Sequence, residues 1–481
     1  MIIRKGKRPM RIINQNYING KFKKINSDES LILKNPTTEE AIAQIYLSTP
    51  SEMNEAIECA SKTFESFSKT SVNERMDILQ RIHDELIKQE ETLIDLAVLE
   101  FGATIKTTRR RTKNAINLFL DIKEELKNYD FIKKDDYSMT FKEGVGVIGV
   151  IIPWNANLAH LCGNIAPAIA LGCTLVIKPS EFNALETEAF LECLHRANIP
   201  KGVVNVVNGT GEMVGEILTK HPLVNAISFI GSTRTGKKIF ENCSKTIKRM
   251  TLELGGKSPT ILLDDTNLSE VIPHVLSSAY SNSGQACHAG SRLLVPKTKL
   301  YEVEHLLIEH IEKLVIGDPK NEMTQIGPMI NQTQFNTVQS YIKSGIDDGA
   351  KLLCGGLGKV EGFEKGYFVK PTVFICNNES SKIVQEEIFG PVLCVLPYEN
   401  EQDALAMANN TTFGLSAYVF SNDETKAFEF AKQIRSGRVL INTSASKAKN
   451  PPFGGMKQSG LGRMGGRYSM DAFCEIKSIL F

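Results

Sequence analysis

The stretch GVGVIGVIIPWNANLAHLCGNIAPAIALGCTLVIKPSE, residues 144–181, decides the fold. It opens with a short apolar run, Gly146–Trp154. It turns to helical periodicity over 157–171 and stops at Gly172. It then returns to a second short apolar run, Thr174–Lys178. Runs this short, bounded by Gly and Pro and rich in β-branched residues, read as buried strands. The alternation continues outward. Helices are predicted over 184–197, 210–219 and 232–244, and strands over 203–207, 224–230 and 250–254. Strands and helices alternating at this spacing build right-handed crossovers and a parallel sheet. Such a sheet binds ligands beyond the carboxyl ends of its strands. That puts Pro153–Asn157, Lys178–Glu181, Gly209–Gly211 and Gly231–Thr233 along one rim.

Upstream, a short strand-like entry is followed by helices. Met53, Ala56, Ile57, Ala60, Phe64 and Phe67 recur at helical spacing, Ser71 with Glu74 forms a capping-box signature, and Gly102 is a helix stop. Downstream, a second α/β stretch runs from about 258 to 450. A Gly-rich segment, PPFGGMKQSGLGRMGG, reads as a loop. The final FCEIKSILF reads as a strand that needs a partner.

The 481 residues exceed one typical core, so two or three domains are expected. Lys+Arg and Asp+Glu total 56 and 55, a balance that gives no reason to expect nucleic acid or a membrane as partner. The 10 Cys form no C-x-x-C pair, which argues against a metal ribbon and for a reducing, cytoplasmic setting. No run of about 18 apolar residues occurs. The basic start, MIIRKGKRPMR, lacks the apolar segment of a signal peptide and reads as a solvated tail, with Met10 a second candidate start.

Several residues could carry chemistry. Cys287 lies in SNSGQACHAGSR, where small neighbours would let a substrate reach a thiol. The adjacent His288 is given no catalytic role, because neighbours in sequence point apart. Glu253 ends a predicted strand before two glycines, a position suited to a general base. Asn155 follows another strand, and its amide can donate to an oxyanion. GTGEMVG (209–215) is one residue too long for the dinucleotide fingerprint. FIGSTRTG (229–236) opens a helix whose N-terminus could hold a pyrophosphate.

These segments recur together. PWN, VIKPSE, FIGST, LELGGKSP, GQACHAGSR, EEIFGPV, FGLSAYVF and PFGGMKQSGLGR follow one another between YING at residue 17 and the final strand. In order and separation the chain resembles the aldehyde dehydrogenase superfamily, on its hydrolytic, non-acylating branch. The resemblance implies a Rossmann-like NAD-binding domain (1–120 and 141–253), an α/β catalytic domain (254–455) and a small β oligomerisation arm (121–140 and 456–481). It implies Cys287 as nucleophile, Glu253 as general base, and Asn155 as oxyanion donor beside the Cys287 backbone N–H. Lys178 and Glu181 would meet the adenosine ribose, and Gly231 and Ser232 the pyrophosphate. Glu387 would meet the nicotinamide ribose, with Phe389 and Trp154 also on the cofactor side. The implied cofactor is NAD rather than NADP, the substrate a small-molecule aldehyde, the assembly a homodimer or homotetramer, and no metal is expected. Alternatives are a coenzyme A-acylating dehydrogenase, which generally lacks the base, and a cofactor-independent thiol esterase. A binding protein that lost oxidation fits poorly with retention of Cys287, Glu253, Asn155 and Lys178.

Three departures from the family pattern stand out. Ala156–Asn157 replaces an aromatic-proline pair, which should widen and polarise the tunnel entrance. Ile230 replaces a Thr. Ser444–Lys449 is polar and basic, and Lys447 and Lys449 suggest a pocket for a polar or anionic aldehyde.

Overall fold

The computed structural model of the protein describes residues 10–481; the basic stretch before Met10 lies outside the described residues. Strands β1 (Gln15–Ile18) and β2 (Lys21–Lys24) pair around Asn19–Gly20, whose φ angles of 54° and 69° make the tight hairpin turn. Four helices follow: α1 (Pro50–Phe67), α2 (Val72–Ile87), α3 (Glu90–Phe101) and α4 (Ile105–Lys127). The Ser71–Glu74 capping box opens α2 as expected, and α3 ends on Gly102 in the left-handed conformation. Helix α4 buries Thr112, Ala115, Ile116, Phe119, Ile122 and Leu126, the apolar stripe of an amphipathic helix. Two antiparallel strands come next, β3 (Ile132–Asp135) and β4 (Ser138–Gly144).

The alternating region folds as β5 (Val147–Ile151), α5 (Asn157–Ala170), β6 (Thr174–Lys178), α6 (Ala184–Arg196), β7 (Val204–Val206), α7 (Glu216–Lys220), β8 (Ala226–Ile230), α8 (Thr233–Ser244) and β9 (Arg249–Glu253). Every residue of β5, β6 and β8 is buried, which is why those runs are continuously apolar. The one predicted helix that shortens is 210–219. It begins as a π turn over Gly211–Gly215, and only five α-helical residues follow, because two glycines disfavour the helix. The parallel strands stand in the order β9–β8–β5–β6–β7, extended by antiparallel β1 and β2. The chain leaves β5 in one direction and returns to lay β8 on its other side. The switch point therefore falls between β5 and β8, where such sheets form a crevice.

A second sheet contains β10 (Pro259–Leu262), which leads into helix α9 (Leu268–Ala279), then β11 (Arg292–Pro296), β12 (Lys351–Cys354), β13 (Thr372–Ile375), β14 (Val392–Tyr398), β15 (Ser416–Phe420) and β16 (Arg438–Ile441). Their order is β12–β13–β14–β11–β10–β15–β16, parallel except for β12. The last strands are β17 (Gly460–Leu461), antiparallel to β9, and β18 (Cys474–Leu480), antiparallel to β4 along its whole length.

The C-terminal strand finds its partner within its own chain, in a three-stranded sheet β18–β4–β3. The segments assigned to an arm also divide differently. Residues 121–127 are still α4, the strands extend to Gly144, and Gly460–Leu461 completes the first sheet beside Glu253. Helical periodicity carries α4 past the expected boundary, and the register of β17 is set by β9 rather than by its own short sequence.

Arg292, at the start of β11, is 1% exposed. Its Nε donates to the Lys257 carbonyl (3.0 Å), and its two Nη atoms donate to the carbonyls of Met407 (2.8 Å) and Ala408 (2.9 Å). The latter two belong to the last turn of helix Glu401–Asn409, where Met407 also accepts from the Asn410 N–H at 3.3 Å and Ala408 has no other partner among the described residues. Arg292→Met removes the donor from three carbonyls, leaves those of Lys257 and Ala408 unpaired, and is expected to destabilise the protein by about 3–5 kcal/mol. Urea unfolding followed by circular dichroism measures this; a loss below about 1 kcal/mol would contradict it.

Candidate active site

Cys287 sits in the loop between α9 and β11, and that loop is pinned from three sides. Asn282 and Ser283 both adopt the left-handed conformation (φ 57° and 58°), followed by Gly284 (φ 77°). A Cβ on Gly284 would lie 2.1 Å from the Gly390 carbonyl oxygen, so no other residue fits. The Gln285 side chain donates to the Pro328 carbonyl (3.2 Å) and accepts from the Ile330 N–H (2.9 Å). The Ser283 hydroxyl accepts from the Gly327 N–H at 2.9 Å. The Cys287 carbonyl lies against Gly256, where a Cβ would approach it to 2.3 Å. The two glycines after Leu254 thus bring the end of β9 onto the cysteine loop. Burial first, then the charges of Glu387 and Glu253, push the Cys287 thiol up to about 12, and Arg438 opposes them.

Glu253 ends β9 at 4% exposure. Neither of its carboxylate oxygens has a hydrogen-bond partner among the described residues. Burial raises its pKa to about 9, against a smaller opposing effect of Arg463. A partnerless buried carboxyl is costly to ionise, so its persistence beside a cysteine points to chemistry rather than packing.

Asn155 follows β5. Its Nδ2 donates to the Gln285 carbonyl (3.2 Å), and its own carbonyl accepts from Asn282 Nδ2 (3.3 Å). The residue therefore ties the end of the first sheet to the cysteine loop. One of its two amide hydrogens is used in that bond and the other is left for a ligand. Cys287, Glu253 and Asn155 are thus brought to one place.

The residues assigned to a cofactor lie along the carboxyl ends of the first sheet. Lys178 and Glu181, after β6, form an ion pair of 2.9 Å. Gly231 follows β8. Ser232 caps α8, its hydroxyl accepting from the Thr235 N–H at 3.2 Å. Glu387 Oε1 accepts from the Gly256 N–H at 3.2 Å, and burial raises its carboxyl to about 7. A Cβ on Gly255 would meet the other Glu387 oxygen at 2.4 Å, so the double glycine also makes room for this carboxyl. Phe389, itself left-handed at φ 56°, packs edge-on against Trp154 with ring centroids 5.3 Å apart. Trp154 also meets Phe101 at 5.5 Å and stands between the two rings. Acidic acceptors for ribose hydroxyls, a lysine and the head of a twelve-residue helix make a donor and acceptor set that fits a dinucleotide. Among the described residues no group of three His, Cys, Asp or Glu could hold a metal.

The departures resolve unevenly. Ala156 lines a small cavity of about 40 Å³ beside Asn155, so removing an aromatic does open space. Asn157 turns away from the entrance. Its Nδ2 donates to Glu186 Oε2 (2.9 Å) and Thr187 Oγ1 (3.1 Å) on α6. Ile230 is buried at the end of β8. Lys449 pairs with Asp121 at 3.2 Å, and both it and Lys447 are exposed; the cavity beyond the cysteine loop is lined by Ser444, Ala445 and Ser446 instead. His288 is half-buried and held neutral, pulled down to about 3 by desolvation, Arg438 and Arg111. It serves structure through its carbonyl, which accepts from the Tyr418 hydroxyl at 2.9 Å. Reading the sequence alone missed Gln285, Asn282, Arg111 and Arg438. The first two sit in the quoted cysteine block, and only the fold reveals that α4 brings Arg111 there.

The sequence model of the aldehyde dehydrogenase family matches residues 22–479. A 3-succinoylsemialdehyde-pyridine dehydrogenase from a Pseudomonas species is 39% identical over 98% of this chain and 99% of its own length. Among solved structures, a mutant of aldehyde dehydrogenase C from Pseudomonas syringae, in complex with NAD+ and octanal, aligns with a TM-score of 0.95 at 39% identity, covering 97% of this chain and 96% of that one. A point mutant of betaine aldehyde dehydrogenase from Staphylococcus aureus in complex with NAD+ aligns with a TM-score of 0.94 at 33% identity, covering 97% of each chain. The chain belongs to the aldehyde dehydrogenase family.

Proposed function

We propose that in this NAD-dependent aldehyde dehydrogenase Cys287 is the nucleophile, Asn155 the oxyanion donor and Glu253 the base that completes the cycle. The observation that carries this reading is the buried, unpartnered carboxyl of Glu253 at the end of the strand against the Cys287 loop.

Ionised Glu253 takes the thiol proton, and the Cys287 sulfur bonds to the aldehyde carbon. The oxygen that gains charge is held by the second Asn155 amide hydrogen and the Cys287 N–H; one such donor is worth about 2.7–4 kcal/mol. Hydride acceptance from the resulting tetrahedral carbon is the chemistry that NAD supplies when bound, and no side chain can perform it. Glu253 releases the thiol proton to solvent, and the thioester left on Cys287 is then hydrolysed by a water whose proton passes to the freed carboxylate. The carbon–sulfur bond breaks and the carboxylic acid leaves. Lys178, Glu181, Ser232 and the N–H groups heading α8 would hold the adenosine and pyrophosphate side. Glu387, Trp154 and Phe389 would stand on the nicotinamide side. The Glu181 carboxylate accepts from ribose hydroxyls and repels a 2′-phosphate, which favours NAD over NADP. The presence of Glu253 argues for water over coenzyme A as acceptor. An unaltered Cys287 loop leaves thiol esterase activity as a side reaction.

The three-stranded sheet has two unlike edges. β3 presents Lys133 and Lys134, side chains that deter pairing. β18 presents Ile476 (64% exposed) and Leu480 (78%) beside an unpaired backbone edge. We propose that the β18 edge joins copies of this chain into a homodimer or homotetramer. We assign the protein to the cytoplasm because all ten cysteines are free thiols. Among the described residues no helix is long and apolar enough to cross a membrane.

Two outcomes test these readings. Glu253 is protonated below about pH 9, so its base form grows with pH. Steady-state NADH formation is expected to climb from pH 6.5 to 8.5. Glu253→Gln is expected to lower it by roughly 10²–10⁴-fold and to slow the first NADH formed per subunit as well, because the same carboxylate takes the thiol proton. A flat profile, or turnover by the variant near the parent's, would sink the assignment. For assembly, Leu480→Lys should shift the protein toward monomers in analytical ultracentrifugation; an unchanged mass would exclude this edge.

A further inference from the structure

Beyond the cysteine loop lies a cavity of about 640 Å³, walled by α4, α9, the start of β16 and the segment 444–446. Five basic side chains line it, Lys106, Arg110, Arg111, Lys313 and Arg438, and not one Asp or Glu does. In a chain with 56 basic and 55 acidic residues, such a segregation is not a sample of the average surface.

Two of the five stand at the inner end. Arg111 forms part of both this cavity's wall and that of the small cavity beside Asn155. Its only side-chain hydrogen bond among the described residues is a long one, 3.5 Å to the Asn155 carbonyl. Arg438 lies over the Phe453 ring at 5.0 Å, and its buried Nε has no partner. Neither guanidinium has a carboxylate partner among the described residues, whereas 24 other ion pairs occur there. Both charges are felt at Cys287. Unpaired guanidinium groups in a part-buried cavity are the ordinary means of binding an oxyanion, which their planar donors match bidentately.

We infer that the physiological aldehyde carries an anionic group, a carboxylate in the first instance, at the end remote from its aldehyde carbon, and that Arg111 and Arg438 are the specificity residues that hold it. This rests on the aldehyde-oxidising function proposed above. The charges come from α4 and β16 and not from Lys447 and Lys449. Lys106, Arg110 and Lys313 line the rest of the cavity and draw anions inward.

The test compares 4-oxobutanoate with its neutral methyl ester, with the corresponding phosphate-bearing aldehyde as a third arm. The acid is expected to be oxidised with a kcat/KM at least about tenfold above the ester's, the yield of one charge-assisted hydrogen bond. In Arg111→Met and Arg438→Met that ratio should collapse, chiefly through KM for the acid. A preference for the phosphate arm that the same variants abolish supports the shared oxyanion site and names phosphate as the occupant. Equal efficiency on acid and ester overturns the inference while leaving aldehyde oxidation intact. A readout independent of turnover is alkylation of Cys287 by iodoacetamide. Succinate should slow it in the parent protein and not in Arg111→Met. Absence of protection in the parent overturns the inference even if no aldehyde is oxidised, and protection lost in the variant supports it.

Discussion

Everything in the site depends on one cluster of hydrogen bonds in which Asn155, Asn282 and Gln285 join the two sheets. The Asn155 amide reaches the Gln285 carbonyl, Asn282 reaches back to the carbonyls of Asn155 and Gln285, and the Gln285 side chain engages Pro328 and Ile330. Without it, the end of β5 and the cysteine loop would be two loops on separate units, free to drift. A displacement of about 1 Å costs a reaction of this kind of order a hundredfold. The left-handed pair Asn282–Ser283 is the local strain that lets the loop make these bonds, and asparagine tolerates that conformation better than most residues. The same amide that locks the geometry retains a second hydrogen for the substrate oxygen. In the proposed mechanism, positioning and catalysis therefore share one residue.

Electrostatics divides the site into two halves. On one side Cys287 faces Glu253 and Glu387; burial raises all three, to about 12, 9 and 7, and the two carboxyls add to the rise at the thiol. On the substrate side Arg438 and Arg111 offset that repulsion, and they also hold His288 neutral. A proton moving from sulfur to carboxylate then shifts charge within a preset field instead of requiring water to reorganise. Glu253 can serve twice only because nothing binds its oxygens. A hydrogen bond to the carboxylate would lower its pKa and weaken it as a base.

Much of this arrangement was legible in the sequence because its causes are local. β5, β6 and β8 are short apolar runs whose length and neighbours exclude a helix, and α5, α6 and α8 end within about two residues of their expected bounds. The rim residues followed from topology, and Asn155, Glu253, Gly256 and Glu387, which approach Cys287, lie in blocks that the family resemblance had marked. What could not be read depends on contacts distant in sequence. Arg111 is the last of three consecutive arginines in the sequence. Its place beside Asn155, 44 positions away, exists only once α4 packs on α5. The C-terminal strand announced that it needed a partner, but β4 lies about 330 residues upstream and carries no signal of pairing. Lys447 and Lys449 had the right charge in the right segment, yet a residue's direction along an irregular loop is not encoded by its spacing.

Asn157 shows how a departure from a family pattern can mislead when read one residue at a time. A polar side chain after Pro-Trp-Asn-Ala suggested a wetter entrance. In the fold it begins α5 and bonds the Glu186 carboxyl, which burial raises to about 7. Glu186 in turn lies beside Glu100, whose two oxygens accept the N–H groups of Leu185 and Glu186 at the head of α6, at 2.9 and 3.0 Å. Those N–H groups begin a helix and have no internal partners, so a buried carboxyl there completes α6, and a second carboxyl nearby needs a donor of its own. A proline at 157 could not supply that donor; an asparagine does. The substitution therefore answers a demand from the interior. The character of the entrance is set by Ala156, which opens space, and by Arg111, which charges it, and neither role is visible without the packing of α4.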